Sequence, residues 1–112
     1  MSGITTHVLD TARGTPAAGV GVLLSVRGGS DWRELSRAST DENGRILEFP
    51  GAGPLDAAIY RLRFETGDYL RGIGMEPFYP HVEITFHVAD PSEHYHVPLL
   101  LSPFGYATYR GS

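Results

Sequence analysis

The chain contains no cysteine, which removes disulfides, thiolate nucleophiles and zinc–thiolate sites together. It contains no lysine either. Its nine basic residues are all arginine, scattered from Arg13 to Arg110 without a basic run that could follow a phosphate backbone. With a formal net charge of -4, nucleic acid is not an expected partner. Arginine without lysine suits planar, two-pronged recognition of carboxylates, amides or flat anions, although GC-rich coding gives the same bias. No apolar run reaches membrane-spanning length, and the opening MSGITTHVLD has no basic region followed by an apolar one. The expectation is a cytoplasmic protein with no membrane partner. Also missing are a phosphate-cradling loop, a dinucleotide fingerprint, a Gly-x-Ser-x-Gly elbow and a His-Glu-x-x-His helix.

What is present is a chain of 112 residues, 41% hydrophobic and 20% charged, enough for one domain over residues 1–112 and too little for a second core. Fourteen glycines and eight prolines punctuate it, and the pieces between them alternate with period two, the strand pattern. In VGVLLSVRG, Val20, Val22, Leu24 and Val26 fall on one face. In AIYRLRFE, Tyr60, Leu62 and Phe64 oppose Arg61, Arg63 and Glu65. In VEITFHVAD, Val82, Ile84, Phe86 and Val88 oppose Glu83, Thr85, His87 and Ala89. Further strands are expected at Ile4 to Asp10, Asp31 to Ser39, Arg45 to Leu47, His94 to Leu101 and Tyr106 to Arg110. The total is about eight, with one short helix at Gly67 to Ile73, and the fold class is an all-β two-sheet sandwich. DENGR carries an Asn43-Gly44 turn signal and ARGTPAAG reads as a loop. Pro98 suits a sheet edge or bulge. Leu99, Leu100 and Leu101 are apolar on both faces of their strand, which suggests cover from another subunit.

Five histidines supply groups that exchange protons near neutral pH. His94 and His96, in HYH, share a strand face and form a possible metal-ligand pair. Without a carboxylate at ligand spacing, one solvated and one hydrogen-bonded histidine is the better reading, and no metal is expected. His7 lies opposite Ile4, Thr6 and Val8, and Arg45 follows the Asn-Gly turn. Alone, each reads as a surface group. The ending SPFGYATYRGS is unusual, with two tyrosines and an arginine where most domains fray into polar filler.

Three stretches then carry a resemblance: THVLDTARGTPAAGV (6–20), DENGR (41–45) and FYPHVEITFHVADPSEHYHVPLLLSPFGYATYRGS (78–112). Together they resemble the 5-hydroxyisourate hydrolases, the transthyretin-related family of urate breakdown, nearly end to end. The resemblance implies a prealbumin/transthyretin-like sandwich of two four-stranded sheets. It also implies a homotetramer, a dimer of dimers with its sites at the dimer–dimer interface. It implies no cofactor, and a catalytic set at His7, Arg45, His96 and Ser112, with Tyr109, Arg110 and Gly111 of the closing tetrapeptide helping His7 and Arg45 bind the substrate. Asn43 stands where the family usually has aspartate, and Ala107 where it often has serine.

The implied reaction is hydrolysis of 5-hydroxyisourate to 2-oxo-4-hydroxy-4-carboxy-5-ureidoimidazoline, a ring opening that needs a base for water, a donor for an oxyanion and a clamp for a flat heterocycle. His96 is the expected base, aided by the Ser112 hydroxyl or terminal carboxylate, although His7 stays open for that role. Arg45 is the expected clamp. The alternative is a non-catalytic, transthyretin-like carrier of a small aromatic ligand, since one fold hosts both functions.

Overall fold

The computed structural model describes residues 3–112. Its strands are β1 (Gly3–Asp10), β2 (Thr15–Pro16), β3 (Gly21–Gly28), β4 (Asp31–Ser39), β5 (Arg45–Ile46), β6 (Ala58–Phe64), β7 (Val82–Val88), β8 (His94–Ser102) and β9 (Gly105–Thr108), with helix α1 (Thr66–Gly72) between β6 and β7. One sheet runs β2-β1-β8-β9, with β5 also on β1, and the other runs β4-β3-β6-β7. The two-sheet sandwich with one short helix therefore stands. Two of its strands are only two residues long, β2 inside the expected loop ARGTPAAG and β5 as a fifth member of the first sheet. Among the described residues no helix is long and apolar enough to cross a membrane.

Period two builds the core as the sequence suggests. Leu62, Phe64, Val82, Val88, Val8 and Leu99 are all at most 1% exposed, and burying a side chain such as Leu62 or Phe64 contributes on the order of 1.5–3 kcal/mol. The single face expected of β3 holds only as far as Leu24. Ser25 is buried and Val26 half-buried, because the register with β4 steps from Leu24 opposite Ser36 to Ser25 opposite Glu34, leaving Leu35 unpaired.

Pro98 does not lie on an edge strand. β8 is internal, parallel to β1 along its length and antiparallel to β9 only from Leu99 to Ser102. One isolated bridge, His96 with Gly111, continues the same register, and there the Gly111 N–H donates to the His96 carbonyl at 2.8 Å. Hydrogen-bonded pairs recur at every second residue of an antiparallel ladder, so the next pair would be Pro98 with Tyr109, and proline has no N–H to give. The ladder skips that step. Of the three leucines, Leu99 and Leu101 enter the core while Leu100 is half-buried on the outer face.

Asp10, 1% exposed, fastens the end of β1. Its Oδ2 accepts from the Tyr69 hydroxyl of α1 at 2.8 Å and its Oδ1 from the Arg13 N–H at 3.1 Å. Helix and sheet edge are thereby tied together.

Candidate active site

The outer face of the first sheet carries most of the site residues expected from the sequence. On β1 the buried residues Ile4, Thr6, Val8 and Asp10 alternate with Thr5, His7 and Leu9, which face outward. On β8 the core residues Tyr95, Val97, Leu99 and Leu101 alternate with His94, His96, Pro98 and Leu100. The parallel register sets Thr5 opposite His96 and His7 opposite Pro98. On the other side of β1, His7 pairs with Arg45 of β5. Residues 91 positions apart thus meet on one surface.

A tight turn delivers Arg45. Asp41 Oδ1 accepts from the backbone N–H groups of Asn43 and Arg45, both at 2.9 Å, and the Gly44 N–H donates to the Asp41 carbonyl at 2.9 Å. Gly44 has φ of 75°, a left-handed conformation that favours glycine. It also presses on β1: its carbonyl accepts from the Val8 N–H at 2.7 Å, and a Cβ there would collide with the Val8 carbonyl oxygen. Both the conformation and the close approach require glycine before Arg45.

The tail arrives at His96 through Gly111. A Cβ on Gly111 would stand 2.5 Å from His96 Cδ2, so only a glycine backbone can lie against that imidazole. In the same register Tyr109 falls on the outer face with Pro98 and is 56% exposed. Arg110 alternates to the other side and does not join the group. Its guanidinium lies 4.4 Å from the centre of the Tyr95 ring and donates to Glu93 Oε1 at 2.9 Å and to the His94 carbonyl at 3.4 Å. Ser112 follows the bridge and is exposed.

His96 is half-buried, and that burial holds its pKa below the usual 6.5, with the nearby charges of His94, Arg45 and His7 adding to the effect. That shift favours the neutral imidazole, which has a lone pair to offer. Its Nδ1 lies 2.7 Å from Thr5 Oγ1, and the same oxygen lies 2.8 Å from His94 Nε2. His94 and His96 thus turn nitrogens toward one hydroxyl. Among the described residues no three acidic or histidine side chains gather as a metal-binding group.

The structure brings together His7, Arg45, His96 and Gly111 and adds Thr5 and His94; strand alternation assigns Tyr109 to the same face, while Arg110 lies on the other side with Glu93 and Tyr95. Alternation places Thr5 with His7 and His94 with His96. What the sequence does not reveal is that β1 and β8 lie side by side, which joins those two pairs.

Three comparisons bear on this arrangement. The pattern of the HIUase/Transthyretin family matches residues 4–111. The 5-hydroxyisourate hydrolase of Caulobacter vibrioides is 48% identical over 118 residues, covering 100% of each chain. Among solved structures, the 5-hydroxyisourate hydrolase of Klebsiella pneumoniae is 40% identical with a TM-score of 0.85, covering 97% of this chain and 98% of that one. The transthyretin of Sparus aurata is 30% identical with a TM-score of 0.92, covering 99% and 97%.

Proposed function

The chain belongs to the HIUase/Transthyretin family, and from that membership and the site we infer that it is an enzyme hydrolysing 5-hydroxyisourate, a cyclic amide, in purine degradation. Backbone similarity does not separate catalysis from carriage, since the transthyretin superposes at least as well as the hydrolase. The residues favour catalysis. The observation that carries the reading is a half-buried His96 on one sheet face with His7 and Arg45, under the glycine of the tail. An aromatic carrier needs an apolar channel and has no use for such a set.

In the mechanism we propose, water gives a proton to His96 and its oxygen adds to a ring carbonyl. The product's new carboxyl and ureido groups identify the broken bond as the one between that carbonyl carbon and its ring nitrogen. Arg45 offers a planar fork to the substrate's carbonyl or anionic edge and offsets the charge on the tetrahedral oxygen. His7 supplies the proton that the departing nitrogen needs, and the Tyr109 ring positions the heterocycle. Ser112, held next to Gly111, contacts the attacking water. Arg110 serves this site by anchoring the tail through Glu93 and Tyr95.

The proposed assembly is a homotetramer, a dimer of dimers. The site face also bears half-buried Leu9 and Leu100 and exposed Tyr109, which a second copy would cover while enclosing the site. Edge strands β7 and β9 each leave one side without a strand partner, as strand pairing between copies requires.

The test is an ultraviolet assay in which urate oxidase generates 5-hydroxyisourate and the protein is added while the intermediate persists. The expected result is decay well above the spontaneous rate, lost when Ser112 is deleted while the assembly stays intact. Decay at the spontaneous rate with folded protein would instead support the carrier.

A further inference from the structure

The Thr5 hydroxyl has two imidazole partners and only one proton. Its oxygen stands 2.7 Å from His96 Nδ1 and 2.8 Å from His94 Nε2, so whenever the hydroxyl proton goes to one of the two rings the hydrogens along this line run in one of two directions. In the first, His96 Nδ1–H donates to Oγ1 and Thr5 donates to His94 Nε2. In the second, His94 Nε2–H donates to Oγ1 and Thr5 donates to His96 Nδ1. The first leaves a lone pair on His96 Nε2, and the second places a proton there. With the hydroxyl proton in the line, the tautomer of His96 is tied to that of His94, whereas two donating rings would leave Thr5 no proton to pass on.

This line is built into the sheet rather than into a loop. Thr5 sits opposite His96 in the parallel register, and His94 lies two residues away on the same face. The two rings are 6.3 Å apart between centroids, too far to bond directly, and the hydroxyl fills the interval. His96 is half-buried whereas His94 is exposed and lines an open cleft of about 650 Å³ with Thr5, Leu47, Phe49 and Leu55. The positive charge of Arg45 that acts on His96 favours a lone pair over an N–H on the remaining ring nitrogen.

We propose that Thr5 and His94 are positioning residues for the hydrolysis: the Thr5 hydroxyl holds the His96 proton on Nδ1, keeps Nε2 free as the base, and connects that base to solvent through His94. The proposal rests on the hydrolase reading. When water is deprotonated, its proton goes to His96 Nε2, the Nδ1 proton passes to Thr5 Oγ1, and the Thr5 proton passes to His94 Nε2. His94 becomes the cation and releases its Nδ1 proton to solvent, while the hydroxide adds to the substrate carbonyl. The positive charge leaves the half-buried ring for the exposed one, which lessens the desolvation cost of forming it.

Long-range nitrogen–proton correlation spectra, which read the protonated ring nitrogen of each histidine, test the bridge on the intact protein without substrate. The expected pattern is Nδ1–H on both His96 and His94, with His96 moving toward Nε2–H in Thr5→Val and back in Thr5→Ser. With 5-hydroxyisourate, Thr5→Val should lose about tenfold or more in kcat, the low end of general-base effects or below, with KM within about twofold, and Thr5→Ser should keep most of the activity. Nε2–H on His96 in the wild type, or a Thr5→Val enzyme with unchanged tautomer and kcat, would overturn the proposal. An inactive wild type with the expected tautomers would instead overturn the hydrolase reading and leave the bridge standing, without its catalytic purpose.

Discussion

At the scale of single residues, the proposed site should depend on shape as much as on charge. Arg45→Lys keeps the charge but loses the fork, so kcat/KM should fall by more than tenfold, roughly 1.4 kcal/mol of transition-state stabilisation. A rate near that of the wild type would remove the clamp role. Gly111→Ala tests a different constraint. Gly111 is not among the glycines with positive φ, so its backbone tolerates alanine, but the added methyl meets His96 Cδ2 at 2.5 Å. Displacing that ring should cost about 100-fold in kcat, with thermal unfolding almost unchanged. His96 also predicts a pH dependence. Its folded pKa lies below 6.5, so the unfolded chain takes the proton first, and the stability from keeping His96 neutral is present above pH 6.5 and lost as pH falls. Denaturant titrations should show stability dropping from pH 7.5 to pH 5, with a smaller drop in His96→Gln. The acid limb of kcat/KM should have its midpoint below 6.5. Period two made His7 and His96 legible as outward-facing groups, but nothing local revealed the hydroxyl of Thr5 reaching both His94 and His96.

At the scale of elements, alternation made β6 and β7 readable because each has one wet face and one buried face. Pro98 was misleading because proline is a local signal, whereas the place of β8 depends on β1, which begins about ninety residues earlier. Proline survives inside this sheet because its missing donor falls where β9 has already let go. The turn before Arg45 was legible from Asn43-Gly44, though its role was not: Gly44 both closes the turn and rests on β1. Gly44→Ala should therefore cost at least about 1–2 kcal/mol from the left-handed backbone alone, with more from the collision with the Val8 carbonyl. Its activity should fall beyond what the folded fraction explains, because Arg45 moves with the turn. A destabilised variant with full activity per folded molecule would show that the turn does not place Arg45.

At the scale of the whole molecule, the chain leaves more apolar surface exposed than one copy needs. Leu47, Phe78, Tyr79, Phe104, Tyr106 and Tyr109 are all at least 39% exposed, and Phe78, Tyr79 and Tyr106 touch edge to face. Such a surface fits contact between copies. Light scattering should give a mass about four times 12.2 kDa, whereas a stable monomer with full activity would mean the site needs no neighbour. The expected assembly rested in the sequence on the family resemblance and on three successive leucines, of which only Leu100 stays on the outer face, because an interface is written on surface that one chain cannot evaluate.

The step that β9 skips at Pro98 has one more consequence. The tail reaches the site through two fixed points, the Gly111 bridge to His96 and the Arg110 clasp on Glu93 and Tyr95, rather than through an unbroken strand. Erasing those points would strip the imidazole of its cover while leaving the two sheets and the core between them in place. On the proposed roles, chemistry and architecture are separable in this molecule, so a lineage could abandon the reaction through a few terminal substitutions and inherit an intact sandwich for another use.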